Sequence, residues 1–504
     1  MFNFYVFKYQ DLDLSYDSLK GCVKREMEGC VEREMESWIS LVHVCRRWRG
    51  LVFGSPRHLN LRLCATARML LRAKRGMVTL DIWPALPLVV QGTVLLMDGV
   101  TPVFKHSDRI NQINLEILTT WQIEKLWAVM EVPFPELAVL RLQLNPILGY
   151  PLRSIAYEVP FMPLRPSHPI LGGPHRLVTY EVLPDSFLGG SALRLRYFYL
   201  DSIPFPGLPK LLLSATHLVE LCLFNITQSG YISPKTMATG LSMLTSLETL
   251  RLEFKYSQPY PDLKGQLSSP PTRFILPALT AFWFKGVSEY LERLVARIDS
   301  PRLHKFSARF LEDIDFNTRE LNQFISRTPT FGAYDEALLK FGCGGALVWL
   351  RQSHPGRSDH GMVTIEISSQ VPDRLLSNLT QICTLSLRLL LTMENLYIGG
   401  NQDSPLIQEN DIEITKWLDL LLPFTAVKNL YLSNPFSPCI ALALHELTGG
   451  RTTEVLPVLQ KVLLEWFQPS QLVEEALAQF ISARQLTNHP VTISTWYGDF
   501  ERGL

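Results

Sequence analysis

The sequence predicts an α/β solenoid, with parallel strands along a concave face and helices outside, preceded by a small all-α module. Three observations carry this expectation. A hexapeptide of the form apolar-x-x-apolar-x-apolar recurs along the chain, helical periodicity fills several of the gaps between copies, and residues 1–60 follow a different pattern.

The hexapeptide is clearest in "LAVLRL" (137–142), "LVELCL" (218–223), "LETLRL" (247–252), "LTAFWF" (279–284), "MVTIEI" (362–367), "MENLYI" (393–398), "VKNLYL" (427–432) and "LQKVLL" (459–464). Looser copies are "INQINL" (110–115), "LRYFYL" (195–200), "LHKFSA" (303–308) and "FGAYDE" (331–336). Anchored on the fourth residue, the series runs Ile113, Leu140, Phe198, Leu221, Leu250, Phe282, Phe306, Tyr334, Ile365, Leu396, Leu430 and Val462. Successive anchors lie 23 to 34 residues apart, except for 58 between Leu140 and Phe198. A constant period of this size marks a repeat array, and the last two apolar positions lie two residues apart, as a strand with one buried face requires.

Between copies the period becomes helical. Ile123, Leu126, Trp127 and Met130 fall on one helix face behind Thr119-x-x-Gln122, which has the form of a capping box. Leu291, Leu294, Val295 and Ile298 repeat the spacing behind Ser288 as N-cap, and Leu321, Phe324 and Ile325 do so behind Asn317. Strand, loop, helix, loop is the leucine-rich-repeat plan. The Pro-rich stretch near 145–180 is expected to be an irregular insertion, and "SQPYPDLKGQLSSPPT" and "RQSHPGRSDHG" to be surface loops.

In that frame the residue between the two buried strand positions faces the concavity. These residues are Arg141, Tyr199, Cys222, Arg251, Trp283, Ser307, Asp335, Glu366, Tyr397, Tyr431 and Leu463. Aromatic residues with both signs of charge suit a protein-binding surface, because Trp, Tyr and Arg dominate interface hot spots. Arg141, Tyr199, Arg251, Trp283, Asp335, Glu366, Tyr397 and Tyr431 are the candidate target-binding residues.

Composition narrows the function. The 504 residues exceed what one compact core usually supports, and 47% hydrophobic with 19% charged residues suits a folded chain. Lys+Arg and Asp+Glu both number 48, so no bulk field attracts nucleic acid. Eight scattered cysteines without metal spacing read as reduced thiols, and no segment offers about 18 uncharged apolar residues to cross a membrane. The expectation is a soluble cytoplasmic or nuclear protein without a cofactor, membrane or nucleic-acid partner. Nor is an enzyme expected: Ser353, His354, Asp359 and His360 cluster as loop polarity, and "FGCGGAL" lacks the spacing and Lys of a phosphate-binding loop.

In "WISLVHVCRRWRGLVF", Leu41, Val44, Cys45, Trp48 and Val52 have helical spacing, while His43, Arg46, Arg47 and Arg49 fall mostly outside the stripe as a solvated rim. The run Val44-Cys45-Arg46-Arg47-Trp48-Arg49 resembles the end of an F-box, the helical module that docks substrate receptors on the Skp-type adaptor of cullin-RING ubiquitin ligases. "VFGSPRHLNLRL", "LDIWPALP", "FPGLPKLLLSATHLVEL" and "GVSEYLERLVARIDSP" are similar to phrases of the F-box and leucine-rich-repeat-like proteins of mushroom-forming fungi. The resemblance implies adaptor contacts by Phe4, Tyr5, Leu41, Val44 and Trp48, a cullin reached through the adaptor, and a target protein on the concave face. It departs from the family at its start, where "MFNFYVF" matches only the tail of the first F-box helix and the Leu-Pro opening is missing. It departs again at 21–36, where the octapeptide "GCVKREME" is duplicated with Glu32 for Lys24. The organisation expected is an incomplete F-box-like module at 1–60, a connecting cap at 61–100 and the solenoid at 101–504.

Overall fold

The computed structural model describes residues 46–47, 50, 63–66, 87–94, 97–144, 184–205, 208–255, 272–311, 319–332, 334–342, 345–352, 361–369, 372–386, 388–400, 413–447, 451–465 and 470–497. The chain divides into two compact units, one ending at Leu195 and the other beginning at Arg196. Both are mixed α/β with mostly parallel strands. Of the expected N-terminal module, Arg46, Arg47 and Gly50 are helical and exposed. Phe4, Tyr5, Leu41, Val44 and Trp48, the duplicated octapeptide, Asn317, the 145–180 stretch and the Ser353–His360 cluster lie outside the described residues.

The first unit contains β1 (Leu63–Thr66), β2 (Leu88–Val94), α1 (Met97–Phe104), β3 (Ile110–Ile117), α2 (Thr120–Val129) and β4 (Val139–Leu144). The four strands pair in sequence order and in parallel. Its sheet therefore starts inside residues 61–100, ahead of the expected solenoid boundary at 101. The stripe Ile123, Leu126, Trp127 and Met130 is buried as its spacing predicts. The capping box is present at Thr119 and Gln122, as the sequence predicts. Gln122 Oε1 accepts from the Leu118 and Thr119 amides at 3.0 and 3.1 Å. Gln122 Nε2 donates to the Val94 carbonyl at 2.7 Å, so the same side chain ties α2 to the end of β2.

After β4, the described chain resumes at residue 184 and turns back on α2. The Leu188 amide donates to the Met130 carbonyl at 2.7 Å, and Phe187 meets Trp127 edge-on at 5.3 Å. Gly189 next to this contact has φ +67°, and a Cβ there would lie 2.8 Å from Pro133 Cγ. A left-handed backbone pressed against a proline ring requires glycine.

The second unit opens with β5 (Tyr197–Asp201), α3 (Leu208–Ser214), β6 (Glu220–Ile226), α4 (Pro234–Leu241), β7 (Thr249–Phe254), β8 (Phe274–Ile275), β9 (Ala281–Gly286), α5 (Ser288–Val295), β10 (Ile298–Asp299), β11 (Lys305–Phe310) and α6 (Arg319–Arg327). It continues with β12 (Glu336–Gly342), β13 (Gly345–Arg351), β14 (Met362–Ser368), α7 (Pro372–Ser386), β15 (Asn395–Gly400), α8 (Ile414–Leu421), β16 (Asn429–Leu432), α9 (Ser437–His445), β17 (Lys461–Glu465), α10 (Gln471–Leu486) and β18 (Thr492–Trp496). Strands β5, β6, β7, β9 and β11 are parallel neighbours, as are β15 to β18. The two-residue strands β8 and β10 form a separate parallel pair.

All twelve hexapeptide anchors are buried, as expected. On one face of this unit's sheet, Phe254 meets Tyr290 of α5, Phe306 meets Phe324 of α6, and Phe341 meets Trp417 of α8. From α3 to α10 each helix packs on the next, giving a single helical layer. Burying each large apolar side chain between layers contributes roughly 1.5–3 kcal/mol. At α5 the cap lies one residue earlier than expected. Ser288 is already helical, with its hydroxyl 3.3 Å from Glu289 Oε2, and Val287 occupies the N-cap position. Ile298 leaves the helix and joins β10.

The expectation of uniformly parallel strands fails between β11 and β15. Strands β12 and β13 form an antiparallel hairpin closed by the Gly342–Gly345 pair, and β13 runs antiparallel to β14. Across the sheet the order is β11, β14, β13, β12, β15. Gly342 and Gly345 of the glycine-rich "FGCGGAL" are the paired residues at the end of the hairpin. Gly345 has φ +154°, and a Cβ on it would drive into the Ile367 carbonyl of β14. Gly345→Ala is expected to lower the unfolding free energy by about 2–3 kcal/mol, read from the urea midpoint at constant slope, through strain and backbone displacement.

Candidate protein-recognition face

Side chains alternate along each strand of the second unit, so residues between the buried anchors emerge on the face opposite the helices. Register sets them in one row: Tyr199 beside Cys222, Arg251, Trp283, Ser307 and Thr364. Through the antiparallel insertion the row passes to Trp349 and Leu338, then to Tyr397, Tyr431, Leu463 and Ser494. Arg141 occupies the equivalent strand position in the first unit, paired in register with Asn114.

Two predicted residues lie elsewhere. Asp335 precedes β12, and the position in line with Tyr397 is Leu338. The Asp335 carbonyl accepts from the Glu394 and Asn395 amides at 3.0 Å each, which ties the entry of β12 to the start of β15. Glu366 is one step further along β14 than the row, where Thr364 stands, and it pairs with Arg309 at 3.2 Å. Glu366 falls out of the row because Val363, Ile365 and Ile367 are all buried and alternate evenly, so the hexapeptide also fits β14 two residues out of register with Phe306 and Ala308; Asp335 does so because Phe331 and Tyr334 lie ahead of β12.

The row contains two aromatic centres. In the first, the Arg251 guanidinium lies 4.1 Å from the Trp283 ring centroid, a cation–π stack between registered neighbours. In the second, Tyr397 and Tyr431 stack at 4.1 Å and 14°, and Trp496 of β18 meets them edge-on at 6.2 and 5.6 Å. Burial raises the Tyr397 phenol above its ordinary pKa, and the nearby Glu336 carboxylate and the hydrogen bond with Tyr431 act in the same direction. That phenol is neutral at physiological pH and available only for hydrogen bonding and packing.

Trp349 was absent from the predicted set. It is buried in the row with Arg351 over its ring at 5.0 Å, and Arg351 Nε is 2.6 Å from Glu336 Oε2. The alternation in "GALVWLR" is the signal that marks it as a strand residue. Beside Arg251, Glu253 has its carboxyl raised above the usual range by burial, against the pull of Lys285 and Arg251.

Cys222, Cys383 and Cys439 are thiols outside any disulfide, and burial pushes the Cys383 thiol up to about 12, which suppresses the nucleophilic thiolate. No group of three His, Cys, Asp or Glu side chains among the described residues is placed to hold a metal ion. No helix among the described residues is long and apolar enough to cross a membrane. No protein-family model matches the chain, and a search of curated proteins finds no match.

Proposed function

We propose that this chain is the substrate-recognition subunit of a cullin-RING ubiquitin ligase, built as an F-box-like module followed by a leucine-rich-repeat-like solenoid. The observation that carries the recognition role is the row of Arg, Trp and Tyr side chains on the face opposite the helices. Such residues combine large contact area with polar handles, the composition of interface hot spots. The solenoid reading is supported by helices that each pack on the next and by the run of parallel strands on either side of the hairpin. Adaptor docking rests on the resemblance of Val44–Arg49 to the end of an F-box. The protein's contribution to ubiquitin transfer is proximity: it holds a target lysine near a charged conjugating enzyme and raises the effective concentration.

The test is recovery of a fungal Skp-type adaptor by the full chain, alongside Val44→Ala and Trp48→Ala. Adaptor recovery by the parent chain, reduced at least about tenfold by either substitution, is the expected result for buried hot-spot contacts. No recovery by the folded parent chain would leave the alternative, a protein-binding scaffold without ligase docking.

A further inference from the structure

Arg251, Trp283 and Ser307 are successive neighbours across β7, β9 and β11. One step along the strands, Glu253, Lys285 and Arg309 are neighbours, and one step back Thr249, Ala281 and Lys305 are. Four cations therefore surround Trp283 on three adjacent strands. Their own carboxylates do not saturate them. Arg309 shares Glu366 at 3.2 Å, but Lys285 and Lys305 make no side-chain hydrogen bond or ion pair among the described residues. Arg251 stacks on Trp283 and leaves its Nε without a hydrogen bond. Glu253 is the only acidic side chain from β7, β9 or β11 in this group, and its burial opposes full ionisation. The chain as a whole is neutral, so this excess is local.

We infer that the part of the face formed by β7, β9 and β11 binds an extended acidic peptide segment of a protein partner. Arg251, Lys285, Lys305 and Arg309 meet its carboxylates, and Trp283 packs beneath it. This rests on the reading of the face opposite the helices as a recognition surface and adds the chemistry of what it takes. A protein segment fits better than a nucleic acid, because the Glu366 carboxylate on β14 stands at the edge of the patch beside Arg309 and would repel a continuous phosphate backbone, whereas spaced acidic side chains can avoid it. Arg251 also occupies one side of the Trp283 ring that a base would stack on.

The experiment pans a phage library of random twelve-residue peptides against the intact chain and measures the selected peptides by fluorescence anisotropy. Asp- and Glu-rich sequences should be enriched, and their affinity should fall at least about tenfold in Lys285→Glu/Lys305→Glu and with rising salt. Lys285→Arg/Lys305→Arg should retain binding, which separates charge from folding. Enrichment of uncharged peptides that bind through Tyr397 and Tyr431, judged by their alanine variants, would overturn the acidic-peptide inference and leave the recognition face standing. Peptides insensitive to both sets of substitutions would overturn both. Tighter binding of a dT20 oligonucleotide than of any acidic peptide, lost in the Lys→Glu variant, would replace the peptide with nucleic acid.

Discussion

Arg484→Ala is expected to lower the unfolding free energy by about 3–5 kcal/mol, read from the urea midpoint at constant slope. Arg484 lies on α10 and is fully buried. Its guanidinium donates to the carbonyls of Pro457 at 3.2 Å, Val455 at 3.4 Å and Leu456 at 2.6 Å. It also sits 5.3 Å from the Phe480 ring centroid. The loop it holds precedes β17, and Leu456 in that loop has φ +50°, a conformation a bulky residue adopts only when its surroundings enforce it. Alanine removes the packing and leaves carbonyls without their donors. Arg484→Lys should lie between the parent and alanine, since a single ammonium lacks the planar fork that reaches all three. A loss below about 1 kcal/mol for alanine would show that the loop keeps its shape without the guanidinium.

Much of the second unit was legible in the hexapeptide. Its anchors are apolar because they fill the layer between strands and helices, and Phe282, Phe306, Leu396, Leu430 and Val462 are all inaccessible. Strand direction was not legible. Leu338 and Leu339 are both buried, so "EALLKF" reads as an apolar run on either face. Period-two alternation is the same for a strand running either way, and the hairpin from Glu336 to Arg351 consequently went unseen. That concealed Trp349, while the even alternation of Val363, Ile365 and Ile367 allowed a frame on β14 two residues out of register and so put Glu366 in place of Thr364.

Within the candidate face, Arg251 and Trp283 were recoverable because they hold the same place in successive copies. Trp496 was not: "VTISTW" lacks the leucines of the other copies, and its ring joins Tyr397 and Tyr431 only through the parallel pairing of β18 with β17. Lys285, Lys305 and Arg309 flank the row by one step. Their grouping emerges from the register of three strands and has no local sequence signature.

Stability should also depend on pH through Glu292. This carboxylate on α5 is buried and accepts from the Glu320 and Leu321 amides at 2.7 and 2.9 Å, so it caps the start of the neighbouring helix α6. Burial raises its pKa to about 7, with Glu320 and Glu289 adding to the rise and the two amides opposing it. The folded pKa lies above the ordinary 4.5, so between these values the folded chain holds a proton that the unfolded chain has released. The contribution of Glu292 to stability is then full below pH 4.5 and is lost as pH rises through 7, on the order of 3 kcal/mol over the window. Glu292→Gln cannot titrate, so the gap between parent and variant should shift toward the parent as pH falls from 8 to 5. Urea midpoints at the two pH values measure that shift, and Glu320→Gln, which removes a neighbouring charge, should move the transition to lower pH. An unchanged gap would mean that the two amides hold Glu292 ionised throughout, as at an ordinary helix cap.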